Sequence, residues 1–318
     1  MSRAQQLQAA ARFVTTGAAR RLQTKLTHAR FIVNKFVRTR QSFHNREGFN
    51  NFDFSLSDRS RPGGVSAMLR VKNEEDKIYY CLSSILHVFD EIVFVDNDSN
   101  DRTLSIVRDF KNREDRSNKV RIYFYPFKIA RCGPEHFATP EDSVHNLAYY
   151  YNWTLSKCSF NYVCKWDGDM VLKKDRREAF ANFLKQAQKT YKIWNLVGQG
   201  LYRDARENYF LATGETNSEV RLFPNGLNPR FHKIDLFEVL KCEPPLEEEV
   251  FEGVLFYELR FVITDEFSHW SITDIPTERK RSEMSNFALI KSADISPDRF
   301  EKLPADFLER QIGRPVTV

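Results

Sequence analysis

The chain has 318 residues, of which 42% are hydrophobic and 29% charged, a composition typical of a folded, soluble protein. No window approaches the roughly 18 consecutive apolar residues of a membrane-spanning helix. The net charge of +5 is concentrated, because residues 1–46 hold ten Lys or Arg and no Asp or Glu, which leaves 38 basic and 43 acidic residues in the rest. The body is therefore acidic, and no nucleic-acid partner is expected.

The N-terminal segment, residues 1–46, is predicted to be a basic amphipathic helical arm. Its apolar side chains recur at the spacing of one helix face: Leu22, Leu26, Ala29, Val33 and Phe36. Such a helix suits an anionic membrane surface, with residues 10–40 as the contact. Packing on its own domain or on a partner, and a cleaved organellar transit peptide, are the open alternatives. Residues 47–64 are predicted to be a linker ending in Pro-Gly-Gly.

The body alternates between short apolar strands and helices. Strands are predicted at 65–71, 91–95, 119–127 and 160–164, and helices at 74–89, 102–110, 143–158 and 176–188. This alternation predicts an α/β fold with a mostly parallel sheet that is covered on both faces. We divide the body into two parts, residues 65–175 and residues 176–318.

The cysteines and the strand ends narrow the chemistry. Five scattered cysteines without a CxxC pair argue against structural zinc and a disulfide framework, and favour a cytoplasmic protein with reduced thiols.

Polar residues lie at or just past the carboxyl ends of three predicted strands, namely Arg70, Asp96 and Asp167. Because ligands of parallel sheets bind beyond the carboxyl ends of the strands, we expect these three side chains to converge.

The segment "KWDGDMVL", residues 165–172, places Asp167 and Asp169 one residue apart after a buried strand. A plain turn explains many such triplets. A calcium loop needs a longer series of ligands, and Met170 to Leu172 break that pattern. A Mg²⁺ or Mn²⁺ site needs only one or two carboxylates, since water and phosphates complete the coordination.

Three motifs occur one after another along the chain, and together they are more specific than the pair of aspartates alone: "LRVKNEE", "VDNDSND" and "WDGD". The sequence resembles the family-two glycosyltransferases of the GT-A fold, well over residues 65–172 and weakly beyond 190. The resemblance implies that Arg70, Lys72, Asn73 and Glu74 form the turn around the nucleotide of the donor. It further implies that Asp96 and Asn97 contact base and ribose. Asp167 and Asp169 would hold Mn²⁺ or Mg²⁺ against the donor diphosphate.

The resemblance makes residues 65–175 the nucleotide-sugar-binding half and residues 176–318 the acceptor-side half with the C-terminal region. An inverting transfer needs a carboxylate base near the acceptor hydroxyl, which the family places well beyond the metal motif. No spacing singles out one of the candidates Asp235, Glu238, Glu243, Glu258 and Asp265, although "FEGVLFYELRF" suggests Glu258. GT-A enzymes often add a histidine to the metal, and His269 lies in the matching region, although a structural role beside Trp270 is the alternative.

The expected function is transfer of a sugar from a nucleotide-sugar donor to a glycan or lipid-linked glycan, by a metal-dependent, inverting hexosyltransferase-like enzyme. A lipid-linked acceptor agrees with a peripheral position on a membrane. A nucleotidyltransferase is the first alternative, although no glycine-rich phosphate loop follows the first strand. A non-catalytic sugar- or partner-binding module with the same fold is the second.

Overall fold

The computed structural model describes residues 40–57, 60–226, 229–263 and 277–313. The strands are β1 Arg40–Phe43, β2 Phe54–Ser57, β3 Val65–Val71, β4 Glu91–Asp96, β5 Val120–Phe124, β6 Tyr162–Asp167, β7 Met170–Leu172, β8 Ile193–Arg203, β9 Tyr209–Ala212, β10 Asn217–Pro224, β11 Arg230–Ile234, β12 Phe237–Lys241, β13 Glu248–Phe261 and β14 Phe300–Leu303. The helices are α1 Ile78–Ile85, α2 Thr103–Glu114, α3 Pro134–Ala138, α4 Leu147–Leu155, α5 Arg177–Ala187, α6 Glu278–Lys291 and α7 Phe307–Ile312.

The described residues form one ten-stranded mixed sheet and two separate hairpins, β1–β2 and β11–β12. Strands β5, β4, β3 and β6 lie side by side in that order and are parallel. Strands β10, β8, β9 and β14 extend the sheet in antiparallel fashion, and β13 runs parallel to β8 and antiparallel to β7. The predicted α/β fold is confirmed, with the parallel strands on one side of a mixed sheet.

Both faces of the parallel strands are buried, which explains their nearly continuous apolar sequences. Along β3, Ala67 and Leu69 join the hydrophobic core that also contains residues of α1, α2 and α5. Met68, between them, faces the second core with residues of α4 and of the β1–β2 hairpin. The parallel strands are thus held between two layers, which leaves their ends as the part that a ligand can reach.

The β1–β2 hairpin differs from the predicted arm and linker. Phe43 and Phe54 stack with ring centroids 4.5 Å apart, and both rings pack edge-on against Tyr149 of α4. Residues 40–57 therefore complete a core face and do not continue a helix or a linker, because their aromatic side chains bury more area there than in solvent. Residues 1–39, which carry most of the predicted arm, lie outside the described residues.

Across the residues that the structure describes, no helix combines the length and the apolar character needed to cross a membrane.

Candidate active site

The carboxyl ends of three parallel strands bring the predicted polar residues together. Arg70 of β3 lies in register with Val95 of β4 on one side and with Asp167 of β6 on the other. Asp96, the last residue of β4, lies beside Val71. The chain runs outward from β3 through β4 to β5 and then returns to β6, so these ends flank the topological switch point, where open α/β sheets bind ligands. The expected convergence is observed.

The loops after β3 and β4 are joined by hydrogen bonds. The Asn73 N–H donates to Ser99 Oγ at 3.0 Å, and the Asn100 N–H donates to Asn73 Oδ1 at 2.9 Å. The Glu74 N–H donates to Thr103 Oγ1 at 2.7 Å. Asn73 adopts a φ of 55°, a left-handed conformation that asparagine tolerates better than most residues. Asn73 and Glu74 therefore fix the shape of this rim.

The charged side chains of the β3 loop have different surroundings. Glu74 forms an ion pair with Lys77 at 2.8 Å, and the Lys77 side chain is buried. Lys72 is exposed, and among the described residues no ion pair to it is found. Lys72 is thus the cation of this loop that an anionic ligand can reach without displacing a carboxylate.

The Asn97 side-chain amide has two hydrogen-bond acceptors, whereas one oxygen of the Asp96 carboxylate has no donor among the described residues. The Asn97 side-chain amide donates to the carbonyl oxygens of Tyr125 and Phe127 at 2.9 and 2.7 Å, so it ties two loops together. Asp96 is buried, and its Oδ2 accepts from the Ser99 N–H at 3.2 Å. Asp96 Oδ1 is buried without a hydrogen-bond partner in the described part of the chain. A buried oxygen without a donor is costly, and a ligand that supplies a donor relieves that cost.

Asp167 is held between two arginines. Arg70 Nη2 donates to Asp167 Oδ1, and Arg221 Nη1 donates to Asp167 Oδ2, both at 2.7 Å. The Arg70 guanidinium also lies over the Tyr151 ring, 3.4 Å from its centroid. Both arginine side chains are buried, with exposures of 6% and 2%. Such charge-assisted bonds are among the strongest side-chain contacts in proteins.

Asp169 has an arginine of its own. Arg260 Nη1 donates to Asp169 Oδ2 at 3.0 Å, and Arg260 Nη2 donates to Glu258 Oε2 at 2.7 Å. Glu258 Oε1 accepts from Arg221 at 3.2 Å. Glu258 therefore lies between the two arginines and connects the two aspartates into one network.

Glu219 extends this network outward. It pairs with Arg221 at 3.1 Å, with Lys165 at 3.4 Å and with Arg279 at 2.9 Å. The charge of Arg221 makes the largest contribution to the pKa of Glu219 and holds it well below its usual range, although burial acts to raise it.

The two aspartates respond differently to burial. Burial alone would raise the pKa of Asp167, but the charges of Arg221 and Arg70 lower it to about 2. Burial raises the pKa of Asp169 to about 7, and the single charge of Arg260 only partly opposes that rise. The nearby negative charges of Glu74 and Glu258 raise the pKa of Asp169 further.

Gly168 fits the turn between the aspartates for a steric reason. A Cβ at this position would lie 3.0 Å from Val71 Cγ2, closer than ordinary van der Waals contact. The absent side chain lets the β6–β7 turn lie directly against the end of β3.

A cavity of about 250 Å³ opens beside Asp169 and the arginines. Its lining includes backbone and side chains of β8, β10, β13 and α6, among them Tyr202, Glu215, Asn217, Glu258, Arg260, Arg279 and Glu283. Polar and apolar atoms contribute about equally to its wall. It is wide enough for a sugar-sized group and presents both carboxylates and guanidinium groups to it.

The carboxylates do not fit a Mn²⁺ or Mg²⁺ ion in this arrangement. Three of the four oxygens of Asp167 and Asp169 accept hydrogen bonds from guanidinium groups. In the described ranges, no group of three or more His, Cys, Asp or Glu side chains is arranged to hold a metal ion. The metal role of the two aspartates, implied by the resemblance, stays a prediction that this geometry does not support.

Of the predicted base and the predicted histidine ligand, only the base lies in a part of the chain that the structure describes. Glu258 lies on the cavity wall, beside the predicted metal-binding aspartates. His269 lies outside the described residues, as does Asp265, another acidic residue of the same region. The base role of Glu258 and the metal role of His269 stay predictions.

Sequence reasoning missed Arg221 and Arg260, the arginines that engage the aspartates. Both stand two residues after a glutamate within a strand, in "EVR" and "ELR". Side chains two apart point to the same face of a strand, so a repeated Glu-x-Arg inside apolar strands was a signal of paired charges.

Residues 66–128 match the family model described as glycosyl transferase family 2. Over this segment, called here the family-two segment, the chain is similar to glycosyl transferase family 2. The family-two segment spans β3 to β5 and contains six of the predicted donor-binding residues, whereas the Asp167 turn lies beyond it. The resemblance inferred from the motifs is confirmed over these residues. No curated protein matches the chain.

The descriptions of two similar solved structures name a bound uridine nucleotide. A crystal structure of S. aureus TarS 1-349 in complex with UDP-GlcNAc is 13% identical, with a TM-score of 0.37, and the match covers 62% of this chain and 58% of that one. A structure of glucosyl-3-phosphoglycerate synthase from Mycobacterium tuberculosis with Mn²⁺, uridine diphosphate and phosphoglyceric acid is 19% identical, with a TM-score of 0.27. That match covers 46% of this chain and 45% of the other. The chain thus spans less than two thirds of either structure.

Proposed function

We propose that this protein transfers a sugar from a nucleotide-sugar donor to a hydroxyl group of an acceptor. The observation that carries the proposal is the family-two segment itself, whose strand ends place Arg70 and Asp96 at the switch point of the sheet. The nucleotide would lie over the β3 and β4 loops, which hydrogen bonds hold in one shape.

Asp96 is the proposed anchor of the nucleoside. Its buried Oδ1 lacks a hydrogen-bond donor, and a ribose hydroxyl or a base N–H supplies one. Lys72, exposed on the same rim, is proposed to meet a phosphate or a negatively charged sugar.

The part of the cavity next to Glu258 is the proposed site of the acceptor hydroxyl, and the part next to Arg260 and Arg279 is proposed to face the donor. In an inverting transfer, Glu258 would take the proton of the acceptor hydroxyl while the oxygen of that hydroxyl attacks the anomeric carbon of the donor sugar. The bond from that carbon to the donor phosphate breaks, and the nucleoside diphosphate leaves with the electron pair. A glycan or lipid-linked glycan is the proposed acceptor, since the cavity is of sugar size and its lining carboxylate, amide and hydroxyl groups can form hydrogen bonds with a sugar.

A panel of nucleotide sugars tests the donor class. The full-length protein is incubated with UDP-, GDP-, CDP- and dTDP-linked sugars, and nucleoside diphosphate release is measured with and without added glycans. We expect release from one class of donor. Asp96→Asn should lower donor affinity by about tenfold, because it replaces an acceptor oxygen in a buried site.

Asp109→Asn is the matched control, because Asp109 lies exposed on α2 within the same family-two segment. It should behave as the wild type does. Release of inorganic diphosphate from a nucleoside triphosphate and a sugar 1-phosphate, without release of nucleoside diphosphate from any nucleotide sugar, would favour a nucleotidyltransferase. Absence of donor binding would favour a non-catalytic module and overturn the proposal.

A further inference from the structure

The aspartates at the centre of the site already have cationic partners. Asp167 accepts from Arg70 and Arg221, and Asp169 accepts from Arg260. These positions are where a divalent ion would have to bind if the two carboxylates were its ligands. A divalent ion bound to these oxygens would lie directly beside guanidinium groups of the same charge sign.

The arginines are expensive to displace. The side chains of Arg221, Arg70 and Arg260 are 2%, 6% and 10% exposed. Moving one away from its carboxylates would leave a buried charge without its counterion, which is strongly destabilising. Arg221 alone connects Asp167, Glu258 and Glu219.

The charge of the described cluster also favours an anion over a further cation. Its carboxylates are Asp167, Asp169, Glu219, Glu258 and Glu283, and its cations are Arg70, Arg221, Arg260, Lys165, Arg279 and Lys280. Five carboxylates thus face six cations. A divalent ion would add two positive charges next to guanidinium groups, whereas a diphosphate would be attracted to them.

Arg260 and Arg279 are the members of the cluster that line the cavity. Arg279 is the more accessible, with 39% of its side chain exposed. Guanidinium groups stay charged at any physiological pH and bind phosphate oxygens through two parallel N–H donors. A diphosphate above the β6–β7 turn is therefore within the reach of charged donors that belong to the protein itself.

We infer that the donor diphosphate is bound and neutralised by arginine side chains, with Arg260 and Arg279 in contact with it, and that binding needs no divalent cation. This inference rests on the proposed nucleotide-sugar donor and makes it more specific. Asp167 and Asp169 are then positioning residues that hold the arginines, and the metal role implied by the resemblance does not apply to this chain.

Calorimetric titration of the full-length protein with UDP and GDP tests the inference directly. Each titration is run in EDTA and again in excess Mn²⁺ or Mg²⁺. We expect the tighter of the two nucleotides to bind with a Kd that changes by less than about threefold between the buffers. Arg279→Gln should weaken binding about tenfold in EDTA, since it removes a charged donor, and Mn²⁺ should not restore it.

Arg281→Gln is the matched control, because Arg281 is exposed on α6 two residues from Arg279 and does not line the cavity. It should bind nucleotide as the wild type does. Binding that requires Mn²⁺ or Mg²⁺, or that tightens more than about tenfold with either ion, overturns the inference but leaves the proposed donor class intact. An unchanged Kd for Arg279→Gln overturns the contact assigned to Arg279. If neither nucleotide binds in any buffer, the proposed function fails and the inference fails with it.

Discussion

Asp169 is the residue whose surroundings most clearly set its protonation. Burial raises its pKa from 3.8 to about 7, because one arginine does not offset the loss of water and the nearby glutamates. Asp167, two residues earlier, has two arginines, and the pKa falls to about 2. Neighbouring carboxylates of one turn therefore differ in charge near neutral pH.

A stability profile against pH tests this difference. An acid with a raised pKa in the folded state contributes stability that is fully present below its ordinary value of 3.8 and is lost as the pH rises through about 7. The free energy of unfolding of the wild type should therefore fall relative to that of Asp169→Asn between pH 5 and 7. The slope should be at most about 1.4 kcal/mol per pH unit.

Urea unfolding of both proteins in EDTA at pH 5, 6, 7 and 8 measures the effect. The control Asp109→Asn changes an exposed carboxylate and should run parallel to the wild type. A constant difference between the wild type and Asp169→Asn across this range would show that Asp169 titrates normally.

At the scale of elements, the β1–β2 hairpin lies where the end of the helical arm and the linker were predicted. Phe54 stacks on Phe43 and lies 5.3 Å, centroid to centroid, from Tyr149. Phe54→Ala should lower the free energy of unfolding by about 1–3 kcal/mol, less than for a fully buried ring, because Phe54 is only partly buried.

Chemical denaturation measures this change, and Phe124→Ala is its control. Phe124 is half exposed at the end of β5, so its removal should cost much less. Equal effects of the two substitutions would mean that the hairpin does not stabilise the α4 face.

Much of the parallel half of the fold could be predicted from the sequence. Residues 65–188 carry short apolar strands and helices whose periods differ clearly, and the convergence of Arg70, Asp96 and Asp167 follows from the geometry of parallel strand ends. The hairpin was missed because its aromatic residues are spread among Asn, Gly and Ser, which indicate loops.

The arginine partners could not be predicted because they depend on long-range strand register. Arg221 reaches the site only because β10 pairs with β6 and β8, and its pairing with β8 contains an irregularity next to Arg221. Arg260 depends on β13, whose pairing with β8 shifts twice before it reaches β7. Such pairings are set by the packing of the whole sheet, and local patterns do not encode them.

At the scale of the whole molecule, the charge is divided between an N-terminal segment and an acidic body. The ten cations of residues 1–46 and the apolar stripe from Leu22 to Phe36 are the basis for a proposed contact with an anionic membrane surface, where a lipid-linked acceptor would lie. Each cation near such a surface contributes roughly 1 kcal/mol at low salt.

Co-sedimentation with phosphatidylserine-containing vesicles tests that contact. The full-length protein should pellet with vesicles at low salt and dissociate as salt screens the charges. A variant that begins at Arg40 keeps the β1–β2 hairpin and should stay in the supernatant. If both proteins stay in the supernatant, the segment contacts protein and not membrane.

The position of a bound nucleoside diphosphate is the most direct test of the account. A crystal structure of the full chain is determined with the nucleotide selected by the donor panel, in EDTA. We expect the ribose or base to donate to Asp96 Oδ1 and the diphosphate to contact Arg260 and Arg279 above the Asp167 turn. A nucleotide bound away from the carboxyl ends of β3 and β4 would contradict the account.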